Sequence, residues 1–374
     1  MSKRIKVVVD DDIPFIKGTL EPYASVLYYK GDKIDSQEVL DADALIIRTR
    51  TKCNARLLNG SKVKFIASAT IGTDHIDMDY CRKNGIVFTN AAGCNAWGVV
   101  QYVLTAIFSI AKKKDIDLTN KIIGIIGAGN VGERLAVTCE SLGFRVLRCD
   151  PPVKEILTKN LGFNDAGRFS VDRSTLKPEQ FFDLWQVTQK ADIVTLHVPL
   201  DSSTRALFGK DFFSSLKPGA IFINSSRGEV IDEVALMEAR QKLAGIALDV
   251  WKNEPEINQS LMKMVDIATP HIAGYSLEGK MNATMIVVRE FSKYFSIKEL
   301  SDFGIDYPEP YTVKTDNLCS FLTESFPIYD EDKKLRENPC SFEKIRSSYT
   351  YRREISGEMY RAIGKINQNH DKIC

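Results

Sequence analysis

Between Ile5 and about Val265 the chain repeats one device, a short apolar run followed by a longer amphipathic stretch and then another apolar run. The runs fall at Lys6–Val9, Ala44–Ile47, Phe65–Ser68, Val87–Thr89, Ile122–Ile126, Arg145–Cys149, Ile193–Leu196, Ile221–Asn224, Gly245–Leu248 and Asp266–Ala268. Antiparallel strands need only a tight turn between them, whereas parallel strands need the chain carried back over the sheet, so spacers of this length predict parallel pairing. The pattern implies α/β layers and excludes an all-α or all-β architecture. Ten strands exceed what an ordinary open sheet holds, and the apolar stretch Ala96–Ala111 lies between two sets of them. The chain is therefore divided there. Residues 1–95, joined by about 271–290, are expected to form one doubly wound domain concerned with substrate, and residues 96–270 a second, with a ligand cleft between the two.

Ala96–Ala111 is apolar enough to raise the question of a membrane span. It falls short of the roughly 20 residues a span requires and contains Gln101 and Tyr102, so it reads as a buried helix. The amino terminus runs straight into the strand pattern of Ile5–Asp10 where a signal peptide would need a longer apolar core, and the expected compartment is the cytoplasm. With 50 Lys and Arg against 49 Asp and Glu, the formal charge of +1 provides no global field to hold nucleic acid or an anionic membrane, and neither is expected as a partner. The eight cysteines show no CxxC and no metal-type spacing with the four histidines, which reads as reduced thiols and no metal site.

From about Phe291 the texture changes to turn-rich and polar runs, predicting a third unit over 291–374. A unit of this size is small for a self-sufficient core. Pairing with a second copy is the expected way to bury Phe321, Phe326 and Phe342, which predicts a two-fold dimer.

The strongest local motif is Ile122–Gly132, an apolar strand followed by Gly127-Ala128-Gly129-Asn130-Val131-Gly132 and a helical stretch. Gly127 permits the tight turn, Gly129 lets the backbone approach a pyrophosphate, and Gly132 lets helix and strand pack closely. A second strand, Arg145–Cys149, ends in Asp150 about 20 residues further on, where a carboxylate accepts hydrogen bonds from the adenosine ribose. The combination predicts a Rossmann-like dinucleotide site, and a carboxylate at that position repels a 2′-phosphate, favouring NAD over NADP.

Four further polar groups follow strands of the same set. Arg227 comes after Ile221–Asn224, where a planar guanidinium can clamp a carboxylate; Asp249 and Glu254 follow Gly245–Leu248, and His271 follows Asp266–Ala268. An arginine, a carboxylate and a histidine converging on one cleft are what hydride transfer to or from a 2-hydroxy acid requires.

These residues resemble a family, the D-isomer-specific 2-hydroxyacid dehydrogenases, which share the GxGxxG unit, the Asn-x-x-Arg-Gly strand end, the Asp-Val-x-x-x-Glu-Pro segment and the Pro-His-Ile-x-Gly segment in this order. The resemblance covers nearly the whole chain. Within the family it is sharpened by Ala67–His75, Ala92–Ala96, Cys149–Pro152 and His271–Lys280. The tail segments Phe342–Arg346 and Tyr349–Glu354 look like a C-terminal α+β dimerisation domain carried by one branch.

What the resemblance implies is an NAD-dependent oxidoreductase acting on a phosphorylated 2-hydroxy acid. Arg227, Glu254 and His271 take the catalytic positions, with Arg227 on the substrate carboxylate, Glu254 orienting the imidazole and raising its pKa, and His271 exchanging the C2 hydroxyl proton. Cofactor contacts are implied at Gly127, Gly129, Asn130, Val131, Gly132, Asp150, Ser225, Ser226, Arg227, Asp249 and Gly274. Asp249 matches the position that holds the nicotinamide carboxamide, its alternative role being a helix cap. Substrate contacts fall on Thr49, Thr70 and Tyr275. Two sets of cations compete for the phosphate: Arg48 and Arg50, which are otherwise solvated, and the tail cluster Arg346, Arg352 and Arg353, which reaches a partner's cleft or else pairs internally with Glu343 and Glu354. His75, His197 and His370 are expected to be structural or exposed. Competing readings are a reductase of the glyoxylate, hydroxypyruvate, glycerate or phosphoglycerate type and an NAD(H)-sensing binding module.

Overall fold

A computed structural model of the chain describes residues 4–163, 171–309 and 317–367. Two compact units are formed, one by residues 1–95 with 277–309 and the other by 96–276 with 310–374. No junction falls at 290/291, because the helix Leu277–Phe295 continues unbroken through that point.

In the first unit β1 (Ile5–Asp10), β2 (Ala24–Tyr29), β3 (Ala44–Ile47), β4 (Phe65–Ser68) and β5 (Val87–Asn90) form a parallel sheet in the order β2-β1-β3-β4-β5. Successive side chains point to opposite faces, and both faces are covered, so each strand feeds two cores. Val7, Val9, Ala44, Ile46, Phe65 and Ala67 enter one, which Val287, Val288 and Phe291 of the helix Leu277–Phe295 complete. Val8, Leu45, Ile47 and Ile66 enter the other. The edge strand β2 has no counterpart among the expected strands. Apart from Ala24 its residues are half-buried or exposed, with Leu27 47% exposed, as befits a strand with a neighbour on one side only.

The second unit carries a six-stranded parallel sheet of β6 (Ile122–Ile126), β7 (Arg145–Cys149), β8 (Ile193–Leu196), β9 (Ile221–Asn224), β10 (Gly245–Leu248) and β11 (Ile267–Ala268), in the order β11-β10-β9-β8-β6-β7. Winding reverses at β6, which has β7 on one side and β8 on the other, so its C-terminal end opens at the switch point where such sheets bind ligands. The helix Ala96–Lys114 is apolar around its whole circumference because it is enclosed. Ile123, Ile125, Ile223 and Ala247 of the sheet share its core with Leu318, Phe321, Leu322, Phe326 and Ile328 of the tail. Among the described residues no helix is long and apolar enough to cross a membrane.

The tail corrects three expectations. Its described residues form the helices Leu318–Ser325, Ile328–Glu337, Phe342–Ser347 and Gly357–Asn367 and no strand, the nearest to one being an isolated bridge between Ser276 and Arg352. Apolar residues recur there at helical spacing, as in Leu318, Phe321 and Leu322, which buries one stripe of each helix. Phe321, Phe326 and Phe342 are 6%, 2% and 0% exposed within the single chain, so their burial needs no second copy. Cys53, Cys81, Cys94, Cys139, Cys149 and Cys340 are free thiols, but Cys319 is disulfide-bonded, a pairing that no local spacing motif announces.

Candidate active site

The glycine-rich turn joins β6 to the helix Gly132–Ser141. Gly127 has φ +94°, and a Cβ there would stand 2.6 Å from the His197 carbonyl, which leaves glycine alone fitting. A Cβ on Gly132 would stand 1.8 Å from the Gly127 carbonyl oxygen, so turn and helix pack through that position. Gly129 is the opposite case, with no atom within 4 Å of where its Cβ would be. Two glycines close the turn and the middle one leaves a gap at the helix N-terminus, a place suited to an anion and of the shape a pyrophosphate needs. Asp150 lies beside it at the end of β7: its Oδ2 accepts from Ala128 N at 2.8 Å and its Oδ1 from Val153 N at 3.0 Å, capping the helix Pro151–Thr158. A carboxylate offers about four acceptor sites, so capacity for a ribose hydroxyl remains. Asn130 and Val131 form the outer part of the turn. Asn130 Oδ1 accepts from Val171 N at 3.0 Å, and its carbonyl accepts from Arg134 Nη1 at 2.7 Å.

The other site residues come from the C-terminal ends of β9, β10 and β11, which are neighbours in the sheet. Adjacent strands lie about 4.8 Å apart, so the three ends occupy a strip of roughly 10 Å. At the end of β9, buried Asn224 accepts from Ser226 N at 3.0 Å and Ser226 Oγ at 2.9 Å, and donates to the Arg227 carbonyl at 2.9 Å. That side chain shapes the turn that presents Arg227, whose Nη1 donates to the Ser226 carbonyl at 2.7 Å. Gly228 follows because a Cβ there would stand 1.9 Å from the Trp251 carbonyl carbon. Ser225 Oγ is buried without a hydrogen-bond partner, a polar atom that a bound dinucleotide can satisfy.

At the end of β10, Glu254 accepts from Trp251 N at 2.9 Å through Oε1, and its Oε2 pairs with His271 Nδ1 at 2.8 Å. Burial pushes the Glu254 carboxyl up, but the His271 charge and hydrogen bond and the Trp251 N–H outweigh it and hold the group below the usual carboxylate range. With Nδ1–H donating to Glu254, the neutral imidazole leaves Nε2 as its acceptor.

His271 itself stands at φ +57°, a left-handed conformation costing a non-glycine residue roughly 1–2 kcal/mol. Asp249, 0% exposed, holds it there. The Asp249 carbonyl accepts from His271 N at 2.7 Å, its Oδ1 accepts from Ile272 N at 2.8 Å and Thr269 Oγ1 at 2.7 Å, and its Oδ2 accepts from Ala273 N at 2.8 Å. Asp249 therefore does not take the alternative role of a helix cap, and its carboxylate is engaged by the histidine loop. Burial raises its pKa, against the lowering effect of His271, Thr269 and the two backbone N–H groups.

Reading the sequence missed what the tail does at this loop. Arg346 Nε donates to Tyr275 Oη at 3.0 Å, and Arg346 Nη1 lies 3.4 Å from Glu343. Arg352, 8% exposed, donates to the carbonyls of Ile272 and Tyr275 at 3.0 and 3.3 Å, to that of Ala273, and to that of Gly98 at 2.8 Å. Both arginines therefore make contacts within the chain, Arg346 with Glu343 as one of the anticipated pairs and Arg352 with backbone carbonyls rather than the glutamates. Gly274 lies between these contacts, its carbonyl accepting from Ser276 N at 3.2 Å.

In the first unit, Thr49 is exposed just beyond β3, and the flanking Arg48 and Arg50 reach Asp12, through its carbonyl at 3.1 Å and its carboxylate at 3.2 Å. Thr70 Oγ1 lies 2.7 Å from Ser68 Oγ, which lies 3.2 Å from His75 Nε2, so His75 is hydrogen-bonded within its loop. Burial pushes the His197 imidazole down to about 3, and its Nε2 lies 3.0 Å from Thr195 Oγ1. His370 lies outside the described residues.

A glycine turn at the switch point of a parallel sheet, with arginine, glutamate and histidine at neighbouring strand ends, defines an NAD-dependent 2-hydroxyacid dehydrogenase. Residues 108–273 match the family described as "D-isomer specific 2-hydroxyacid dehydrogenase, NAD binding domain", and the chain belongs to the D-isomer-specific 2-hydroxyacid dehydrogenases. Within that family it is 42% identical over 360 residues to the erythronate-4-phosphate dehydrogenase of Bacteroides fragilis, spanning 94% of this chain and 97% of the relative. To the enzyme of the same name from Escherichia coli it is 36% identical over 370 residues, spanning 94% and 93%. Among solved structures, D-lactate dehydrogenase from Aquifex aeolicus complexed with NAD and lactic acid superposes with a TM-score of 0.62 at 24% identity, covering 81% of this chain and 100% of that one. The NAD-bound 3-phosphoglycerate dehydrogenase of Entamoeba histolytica gives 0.62 at 25% identity, covering 82% and 99%. The two parallel-sheet α/β domains, the enzyme class and the cofactor are those expected from the sequence.

Proposed function

We propose that this protein catalyses the reaction named for its erythronate-4-phosphate dehydrogenase relatives. It oxidises 4-phospho-D-erythronate at C2 to (R)-3-hydroxy-2-oxo-4-phosphooxybutanoate, with NAD reduced to NADH and one proton released. The setting is pyridoxine biosynthesis in the cytoplasm. The observation that carries this reading is the Glu254–His271 hydrogen bond at the edge of the NAD-binding sheet, in a chain similar over almost its whole length to enzymes of that name.

NAD, when bound, supplies the hydride acceptor. His271 Nε2 takes the C2 hydroxyl proton, and the resulting imidazolium is stabilised by the Glu254 carboxylate on Nδ1. Arg227 clamps the substrate carboxylate through its planar fork. The gap at Gly129 and the unsatisfied Ser225 Oγ suit the dinucleotide, with Gly127, Asn130, Val131, Gly132, Asp150, Ser226, Asp249 and Gly274 completing its surroundings. Thr49, Thr70 and Tyr275 contact substrate. For the phosphate we favour Arg346, because its guanidinium already hydrogen-bonds the hydroxyl of Tyr275, a residue assigned to substrate. Arg352 is committed to carbonyls instead. The substrate and cofactor domains are assigned to the two units, and a homodimer is retained from the resemblance alone, to be checked by sedimentation.

The deciding experiment is NADH formation with 4-phospho-D-erythronate, run with and without a 2-oxo acid to reoxidise bound NADH. Turnover on the phosphorylated acid well above that on glycerate or 3-phosphoglycerate supports the assignment; the reverse order transfers the protein to another branch of the family.

A further inference from the structure

The loop from Thr269 to Ser276 carries the histidine, and two buried opposite charges grip it from its two hydrogen-bonding sides. Asp249 accepts the N–H groups of Ile272 and Ala273, while Arg352 donates to the carbonyls of the same two residues and to that of Tyr275. Both charged groups act on the hydroxyl of Tyr102, which lies 2.7 Å from Thr269 Oγ1 at the start of the loop. A carboxylate or guanidinium taken out of water is unfavourable unless compensated, and here the compensation passes through polarised peptide groups of the loop. Arg352 is further seated over the Phe326 ring, 4.4 Å from Cζ to centroid, and its Nη1 lies 3.3 Å from Tyr349 Oη. Two residues on, Glu354 Oε1 accepts from Ser276 Oγ at 2.6 Å and from Gly98 N at 3.0 Å, fixing the end of the loop to the first turn of the helix Ala96–Lys114.

We infer that Arg352, supported by Glu354, is a positioning residue for proton transfer, by which the chain's own C-terminal segment sets the backbone that aims His271. The inference rests on His271 being the acid/base group. The left-handed backbone of His271 is the feature the clamp maintains. When the carbonyls of Ile272 and Ala273 are released, the peptide units that Asp249 grips from the other side can rotate, and the imidazole leaves its line to the substrate hydroxyl. Misplacement by about 1 Å at a reacting group costs on the order of 100-fold in rate, so the effect belongs in kcat rather than in cofactor affinity.

The test compares wild type with Arg352→Lys, Arg352→Ala and Glu354→Gln, using whichever 2-hydroxy acid the wild type oxidises. That choice separates failure of the clamp from failure of the substrate assignment. Arg352→Lys is expected to lower kcat by roughly 10–100-fold with NAD affinity, by isothermal titration, unchanged within about twofold. Arg352→Ala is expected to lose more and to recover part of its kcat when millimolar guanidinium is added. Glu354→Gln, which keeps one acceptor, serves as the milder variant should Arg352→Ala not fold, and is expected to lower kcat severalfold with KM for NAD unchanged. Wild-type kcat in folded Arg352→Lys overturns the inference. So does a loss in which kcat and NAD affinity fall together and added guanidinium restores nothing.

Discussion

At the scale of single residues the site is a set of groups whose partners define their chemistry. His271→Ala removes the proton acceptor and leaves the cofactor surroundings intact, so turnover is expected to fall by roughly 100- to 10,000-fold with NAD affinity nearly unchanged, measured by steady-state kinetics and titration. Glu254 gives the pH dependence. Its carboxyl is held below its ordinary value of 4.5, so its contribution to stability is complete above that value and is lost as pH falls through the lower, folded one. Thermal denaturation of wild type and Glu254→Gln across pH is therefore expected to show a constant gap near neutrality that closes in acid; a gap that widens in acid contradicts the depressed carboxyl. Asp150 also caps a helix and holds the Ala128 N–H, which makes alanine a poor probe there. Asp150→Asn keeps an acceptor and removes the charge, and is expected to shift the NADP to NAD preference toward NADP by roughly tenfold, about 1.4 kcal/mol. Arg227, Glu254 and His271 could be picked from the sequence because each follows a strand of one sheet. Asn224 and Arg352 stand in segments the sequence singles out, but their roles could not be read there, since a side chain that serves backbone groups leaves no mark in the spacing of residue types.

At the scale of elements, the glycine turn separates two kinds of glycine that the sequence writes identically. Gly129→Ala puts a methyl into open space, so melting temperature should hold while NAD affinity falls. Gly132→Ala puts one 1.8 Å from the Gly127 carbonyl oxygen, so melting temperature should fall first. Differential scanning calorimetry with and without NAD distinguishes them, and equal stability losses in both variants would remove the cradle. Strands buried on both faces were legible as apolar runs. The edge strand β2 was not, although its Val26–Tyr29 is apolar, and neither was the helical character of the tail, whose Leu318, Phe321 and Leu322 pack in one core with a helix some 200 residues earlier in the chain.

For the molecule as a whole, the tail is part of the second unit's core, and truncation has to be judged accordingly. Phe321, Leu322 and Phe326 are buried in the core that contains the helix Ala96–Lys114, each worth about 1.5–3 kcal/mol of burial. Ending the chain after Glu309 is expected to expose that apolar surface and to remove Arg352 as well. The product should be largely insoluble on expression and inactive, where a separable third domain would have left a soluble protein that binds NAD; recovery of such a protein would refute the shared core. The same arrangement bears on how the protein is made. A ribosome adds about 5–20 residues each second, so the helix Ala96–Lys114 is synthesised roughly 10–40 s before Leu318. Through that interval the side of the helix that Leu318, Phe321, Leu322 and Phe326 cover lacks that cover, and the nascent chain is a natural client for a chaperone that shields hydrophobic helices until synthesis is nearly finished.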